Sequence, residues 1–193
     1  MLRFEQVSFS YGKRVVLNDF SFTLHDGELL ALMGASGSGK TTILHLAAGL
    51  LTPTSGKIES DFLPPAVVFQ EPRLFPHLTV RENLAAVQEK TDEKAILDAL
   101  ALMALSEWAD AYPKELSGGM QSRASLARAL LFPTDLYLFD EPFGALDEET
   151  KRKVLTNLKA FLTEKGAAAI LVTHQNEDAE AFAKRKFFLT TAD

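Results

Sequence analysis

Apolar residues occur along this chain in short groups whose spacing changes from one stretch to the next. Near the start of the chain they alternate loosely with polar residues, as at Leu2, Phe4 and Phe22, which predicts strands with one buried face. Four later groups are continuously apolar, at residues 29–33, 66–69, 136–139 and 168–172. Short continuous runs of this kind predict strands that are buried on both faces, as in a parallel sheet.

Helical spacing separates these strand candidates. Helices are predicted at three places, at about residues 40–50, 118–131 and 147–164. A longer helical pattern over residues 70–112 contains a set of apolar core candidates, namely Leu84, Val87, Ile96, Leu97, Leu100 and Leu105. The alternation of strands with helices predicts an α/β fold with a mostly parallel sheet. The long helical stretch predicts a helical subdomain inserted into that fold at about residues 71–125.

The length, charge and cysteine content of the chain limit the number of domains and the classes of protein that fit the sequence. Its 193 residues suffice for one domain, or for one domain with an inserted lobe. The 20 Lys and Arg against 26 Asp and Glu give a net charge of −6, which argues against a protein that wraps nucleic acid. The chain contains no cysteine, which excludes a disulfide scaffold, a thiolate zinc site, an iron–sulfur cluster and a cysteine nucleophile.

No stretch of the sequence matches a membrane-spanning helix, which needs about 20 predominantly apolar residues. The first strand candidate already contains Arg3 and Glu5, so the sequence does not begin with the apolar region of a signal peptide. We therefore predict a soluble protein. If it acts at a membrane, a partner chain must supply the span.

The glycine-rich segment Gly34–Thr41, which reads GASGSGKT, follows the strand predicted at residues 29–33. Its glycines let backbone amides turn toward an anion, and the helix that follows points its positive end at the same place. Lys40 can reach the β- and γ-phosphates of a nucleotide, and the Thr41 hydroxyl can bind Mg²⁺. An ordinary glycine-rich turn is the alternative, but the strand before the segment and the helix after it favour a phosphate loop.

Two adjacent carboxylates follow the apolar strand predicted at residues 136–139. In an open parallel sheet, the carboxyl ends of the strands border the crevice where ligands bind. Asp140 can therefore hold a magnesium ion, and Glu141 is placed to polarise an attacking water. The alternative is that both residues simply begin a loop, but the phosphate loop upstream favours the catalytic interpretation.

Further motifs occur in the order typical of one family. The segment Leu116–Met120, which reads LSGGM, resembles the signature motif of the ATP-binding cassette (ABC) ATPases and precedes the strand that ends in Asp140. Shorter segments resemble the family's adenine-stacking aromatic, Q-loop, D-loop and switch histidine, and these are Tyr11, Gln70, Ala145-Leu146-Asp147 and His174. Each has a simpler explanation by itself, as a packing residue, a loop residue or a helix cap. Together, in this order, they cover nearly the whole chain.

The resemblance implies a P-loop NTPase core with a mostly parallel sheet, a small antiparallel β subdomain and the inserted helical subdomain, with ATP and Mg²⁺ as ligands. It assigns catalysis to Glu141, His174 and Lys40, and the metal to Thr41, Gln70 and Asp140. It assigns nucleotide contacts to Tyr11, Val16, Gly34, Ser36, Gly37, Ser38, Gly39, Lys40, Thr41, Thr42, Gln70, Ser117, Gly118, Gly119 and Asp147. Two such domains pack head to tail in the family, and each signature motif then serves the ATP of the other subunit.

The stretch Phe69–Asn83, which reads FQEPRLFPHLTVREN, and the segment Glu141–Asp147 resemble bacterial importers of the nitrate, sulfonate, taurine and thiamine-precursor kind. This implies an ATP-hydrolysing importer subunit that we expect to form a homodimer at the cytoplasmic face of the inner membrane. Its expected partners are transmembrane permease subunits and a solute-binding protein, with no nucleic acid. The apolar residues Leu74, Phe75, Pro76 and Leu78 would then line the groove for a permease helix, or else belong to the core of the lobe.

Two other functions remain open. One is a soluble ABC ATPase that remodels a cytosolic or ribosomal complex, although such proteins usually carry two cassettes in one chain. The other is a nucleotide-dependent scaffold without turnover, which Glu141 and His174 disfavour. The chain departs from the family in a short stretch between Gly56 and Ala66, which predicts a trimmed antiparallel sheet, and in its end soon after Leu189, which predicts no C-terminal regulatory domain.

Overall fold

The computed structural model describes residues 1–189. Its strands are β1 (Leu2–Tyr11), β2 (Arg14–Leu24), β3 (Leu29–Gly34), β4 (Ser55–Ser60), β5 (Ala66–Val68), β6 (Leu136–Asp140), β7 (Ala168–Val172) and β8 (Arg185–Leu189). Its α-helices are α1 (Lys40–Ala47), α2 (Val80–Ala85), α3 (Glu93–Leu102), α4 (Gly118–Leu131), α5 (Glu148–Lys165) and α6 (Asn176–Phe182). Two short 3₁₀ helices, Ser106–Trp108 and Pro113–Glu115, lie between α3 and α4.

Five strands form an all-parallel sheet in the order β5-β6-β7-β3-β8. Strands β6 and β7 are buried along their whole length, as their continuous apolar runs predict. Because the strands are parallel, the segments that follow β3, β5, β6 and β7 all leave the sheet at one edge. The predicted phosphate loop, Gln70, the pair Asp140–Glu141 and His174 follow these four strands. The α/β fold with a parallel sheet is confirmed.

A smaller antiparallel sheet has the order β2-β1-β4. Buried and exposed residues alternate along much of β1, as the loose period of two predicts. Phe4, Val7 and Leu24 of this sheet belong to the same apolar cluster as Ile43 and Leu44 of α1. The antiparallel β subdomain implied by the family resemblance is thus confirmed, and it packs beside the helix that follows the glycine-rich loop.

Helices α2 and α3 form a lobe that packs against α4. Helix α2 begins at Val80, where the Thr79 hydroxyl and the Glu82 carboxylate cap each other's backbone amides. The prediction of helix from residue 70 is therefore wrong for residues 70–79. That stretch contains two prolines, which lack the amide hydrogen that a helix interior needs.

Most of the apolar candidates in the lobe are buried, namely Leu84, Ile96, Leu100 and Leu105. Leu97 is 45% exposed, which contradicts its prediction as a core residue. Its neighbour Ile96 is buried while Leu97 is not, because α3 buries only one face. The buried residues of the lobe share one apolar cluster with strand β6. Within residues 1–189, no helix combines the length and the apolar character that crossing a bilayer requires.

Candidate functional site

The glycine-rich loop turns tightly where β3 ends. Gly34 has a φ of 147°, a value that glycine adopts readily and other residues rarely adopt. A Cβ atom at this position would lie 2.4 Å from the carbonyl oxygen of Leu189 in β8. The loop therefore begins in direct contact with a neighbouring strand, and only glycine fits at its start.

The end of the loop has the properties of an anion site. No side chain caps the first amides of α1, and its first turn contains no acidic residue, so the partial positive charge of the helix end is not neutralised locally. The Ser38 hydroxyl is buried and has no hydrogen-bond partner in the described part of the chain. An unpaired buried hydroxyl costs about 1–3 kcal/mol, and a phosphate on the loop would supply the missing acceptor. These features fit a nucleotide phosphate.

Lys40 is held across the same loop. It is 7% exposed, and its ammonium donates hydrogen bonds to the carbonyl oxygens of Gly34 and Ala35 at 2.9 and 2.7 Å. These bonds keep the positive charge beside the loop instead of in solvent. A phosphate bound by the loop amides would meet that charge directly.

The donors predicted for magnesium lie next to the loop. Asp140 ends β6 and is buried. Burial raises the pKa of its carboxyl above the ordinary value, a hydrogen bond with the Thr41 hydroxyl partly opposes the rise, and the charge of Glu141 adds to it. Thr41, Gln70 and Asp140 offer a hydroxyl, an amide and a carboxylate, which are the oxygen ligands that Mg²⁺ prefers. Within residues 1–189, no group of three or more His, Cys, Asp or Glu side chains is placed so that it could hold a metal ion.

Glu141 and His174 come together from the ends of β6 and β7. The Nδ1 atom of His174 lies 3.3 Å from Oε2 of Glu141. Glu141 has a φ of 46°, unusual for a residue other than glycine, and its amide donates to the carbonyl oxygen of Val172 at 3.0 Å. A residue held in a strained conformation beside a polar cleft is typical of catalytic sites.

A cleft of about 360 Å³ lies between the antiparallel sheet and the edge of the parallel sheet, and Gly34, Ser38, Asp140 and His174 are not part of its described lining. It is lined by Tyr11, Arg14, Val16, Ser36, Gly37, Gly39, Lys40, Thr41, Thr42, Gln70 and Glu141. The structure thus brings most of the predicted nucleotide-contacting residues into one place. Arg14 was missed by the sequence analysis, although its position two residues before Val16 on a strand places both side chains on one face.

The signature motif and the D-loop lie outside this lining. Ser117 caps α4 by accepting a hydrogen bond from the Met120 amide at 3.3 Å. Asp147 caps α5 by accepting one from the Thr150 amide at 2.9 Å, and this bond lowers the pKa of the Asp147 carboxyl. A Cβ atom at Gly119 would lie 2.7 Å from the carbonyl oxygen of Ala145, so the two motifs are in contact and form one surface.

The family model that describes the ABC transporter family matches residues 17–144. The thiamine import ATP-binding protein of Vibrio cholerae is 34% identical over 98% of this chain and 86% of its own length. The chain belongs to the ABC transporter family. An aliphatic sulfonates import ATP-binding protein of Granulibacter bethesdensis is 42% identical over 93% of this chain and 76% of its own length. This ABC domain spans only about half, 54%, of a spermidine/putrescine import ATP-binding protein of Aggregatibacter actinomycetemcomitans, at 36% identity.

Solved ABC transporter cassettes have the same fold. A dimeric structure of a bacterial ABC transporter cassette superimposes on this ABC domain with a TM-score of 0.88, at 30% identity, and covers 98% of this chain and 94% of its own. A post-hydrolysis structure with ADP and phosphate bound matches with the same score. As an ABC ATPase, this protein binds ATP.

A second groove of about 430 Å³ lies between the helical lobe and the edge of the ABC domain's parallel sheet. It is mostly apolar, and Phe75, at 44% exposed, is among its lining residues. The guanidinium of Arg73 lies 3.8 Å above the Phe69 ring on its wall. Leu74 packs against the apolar core instead, and neither Pro76 nor Leu78 belongs to the described lining.

Proposed function

We propose that this ABC domain binds Mg-ATP in the cleft and hydrolyses the γ-phosphate to power a bacterial importer. One observation carries the proposal. The phosphate loop, the buried Asp140 and the Glu141–His174 pair all lie at the edge formed by the carboxyl ends of the parallel strands. This arrangement offers a phosphate cradle, a metal ligand and a candidate base within one site.

Each residue has a role in this proposal. The loop amides and Lys40 hold the β- and γ-phosphates, while Thr41, Gln70 and Asp140 hold the magnesium ion. When bound, the magnesium ion neutralises charge on the phosphate oxygens. Glu141 polarises the attacking water. His174 keeps the Glu141 carboxylate in place through their 3.3 Å contact. We expect it also to contact the γ-phosphate of bound ATP.

The separation of the signature motif from the cleft supports a dimer. Ser117, Gly118 and Gly119 begin a helix whose first turn has no acidic residue, yet they do not line the cleft of their own chain. In our proposal a second ABC domain, expected to be an identical copy, packs head to tail and presents its signature motif to this ATP. The dimeric form of the similar solved cassette supports this arrangement.

The importer role draws on the relatives and on the groove. The similar proteins named above are import ATP-binding proteins. The groove beside Phe75 fits an apolar helix of a transmembrane permease. We propose that residues 1–193 form one ABC domain, with the helical subdomain inserted at about residues 71–125, at the cytoplasmic face of the inner membrane. Residues 190–193 of this range lie outside the residues that the structure describes. A solute-binding protein would deliver the solute to the permease.

Glu141→Gln tests the hydrolytic function. The amide keeps the size of the side chain but removes the strongest proton acceptor, so ATP turnover should fall on the order of 10²–10⁴-fold. Removal of a negative charge near the γ-phosphate should favour the ATP-bound dimer, which gel filtration with Mg-ATP would detect. Asp140→Asn is the comparison, because losing the metal ligand should impair both dimer formation and turnover. Near-normal turnover in the Glu141→Gln protein would assign water activation to another group.

A further inference from the structure

The nucleotide cleft contains a second cation that the proposed mechanism does not use. Among the described lining residues, Arg14 and Lys40 are the basic side chains and Glu141 is the acidic one. Lys40 belongs to the phosphate loop itself, whereas Arg14 belongs to strand β2 of the antiparallel sheet. Its presence in the cleft therefore depends on how β2 sits against the loop.

Strand β2 runs alongside the phosphate loop. The Nη2 atom of Arg14 lies 3.5 Å from the position that a Cβ atom would occupy at Gly37. Two residues further along β2, Cγ1 of Val16 lies 2.9 Å from the equivalent position at Gly39. Arg14 and Val16, two alternate residues of the strand, thus lie close to two alternate residues of the loop. This arrangement places the Arg14 guanidinium beside Gly37.

Arg14 pairs with Tyr11 across a tight hairpin turn, at the first position of β2. Its side chain is exposed, and no carboxylate in residues 1–189 lies within 4.0 Å of its guanidinium in an ion pair. A guanidinium presents a planar set of donors that matches phosphate oxygens, and charge-assisted bonds of this kind are stronger than neutral ones.

We propose that Arg14 donates hydrogen bonds to the phosphate chain of the bound nucleotide and acts as a second phosphate-binding cation beside Lys40. The ligand class is a nucleoside di- or triphosphate. This inference rests on the proposed function of the cleft as the nucleotide site. It adds a contact from the antiparallel sheet, so that β2 as well as the phosphate loop holds the phosphates.

The test compares two neutralised cations that are adjacent in the chain. Arg14→Gln removes the guanidinium in the cleft, and Lys13→Gln removes an exposed charge on the hairpin turn that does not line the cleft. Affinity for a fluorescent ATP analogue is measured by titration of the purified full chain, at low and at high ionic strength. We expect Arg14→Gln to weaken binding about three- to tenfold and to reduce the salt dependence. Lys13→Gln should bind nearly as the parent does, and Arg14→Lys should recover part of the loss.

The outcomes separate the two proposals. Equal affinities for the parent, Arg14→Gln and Lys13→Gln would overturn the Arg14 contact and leave the nucleotide site intact. Equal weakening by both substitutions would also overturn it, because only the net charge of the surface would then matter. A parent protein that fails to bind the analogue at all would instead refute the proposed function of the cleft. Circular dichroism checks that each variant is folded.

Discussion

Lys151 is a buried cation at the centre of a polar network between helices α5 and α6. Its side chain is 4% exposed, and its ammonium lies 2.9 Å from Oε1 of Glu148 and 3.2 Å from Oδ1 of Asp178. It also donates a hydrogen bond to the amide oxygen of Gln175, the residue directly after His174. The network therefore connects the first turn of α5, which follows Asp147, to the segment that contains His174. We predict that Lys151→Met destabilises the protein strongly.

The magnitude follows from what the substitution leaves behind. Methionine has a similar length but no charge, so the Asp178 carboxylate, 6% exposed, would stay buried without its cation. Breaking a buried ion pair in this way costs about 3–5 kcal/mol. Asp178 lies in the first turn of α6, where the helix dipole stabilises the carboxylate and lowers this cost by about 0.3–1 kcal/mol. Glu148 is exposed, so water replaces its lost contact with Lys151. We therefore expect the free energy of unfolding to fall by about 3 kcal/mol, whereas the whole free energy of unfolding of a protein is typically about 5–15 kcal/mol.

Thermal unfolding followed by circular dichroism is the assay. For a chain of this size about 1 kcal/mol corresponds to about 2–4 °C, so Tm should fall by roughly 6–12 °C. Lys153→Met is the matched control, because Lys153 lies on the same helix and pairs with Glu149 in full solvent, and its Tm should match that of the parent. The double variant Lys151→Met with Asp178→Leu should recover much of the loss. If Lys151→Met has the same Tm as the parent, water solvates the Asp178 carboxylate and the predicted cost of an unpaired buried charge is wrong.

Three further predictions test the site and its surfaces. Lys40→Ala should weaken ATP binding by removing the charge on the β- and γ-phosphates, and unchanged affinity in a titration with a fluorescent analogue would contradict the phosphate-loop assignment. Gly118→Asp should fold normally, since a Cβ atom there meets only the Ala145 side chain at 3.8 Å, but its carboxylate should block ATP-driven dimerisation in light scattering. A Gly118→Asp protein that dimerises with Mg-ATP would rule out head-to-tail packing. Phe75→Asp should leave the ATPase activity of the purified chain unchanged and abolish co-purification with co-expressed permease subunits, whereas retained co-purification would place the permease elsewhere.

The features of this fold that depend on residues close together in the chain could be predicted from the sequence. The phosphate loop between β3 and α1, the Ser117 cap of α4 and the buried strands β6 and β7 could all be predicted, because caps, turns and apolar runs depend on neighbours in the chain. The predictions were wrong where a local pattern of apolar residues was compatible with two structures. Residues 70–79 carry apolar residues at helical spacing but contain prolines, and Leu97 lies beside Ile96 on a helix that buries only one face.

The amino-acid sequence is sufficient to identify the chemical groups of this protein and the kind of local structure that holds most of them. Which distant groups meet depends on how the strands and helices pack. The side chains of Glu141 and His174 come within 3.3 Å of each other because β6 and β7 are neighbours in a parallel sheet. Lys151 and Asp178 form an ion pair because α5 and α6 pack beside each other. Arg14 enters the cleft because β2 lies along the phosphate loop. The physical reason is that strand order and sheet packing minimise exposed apolar surface over the whole core, and many orders are compatible with the same local patterns.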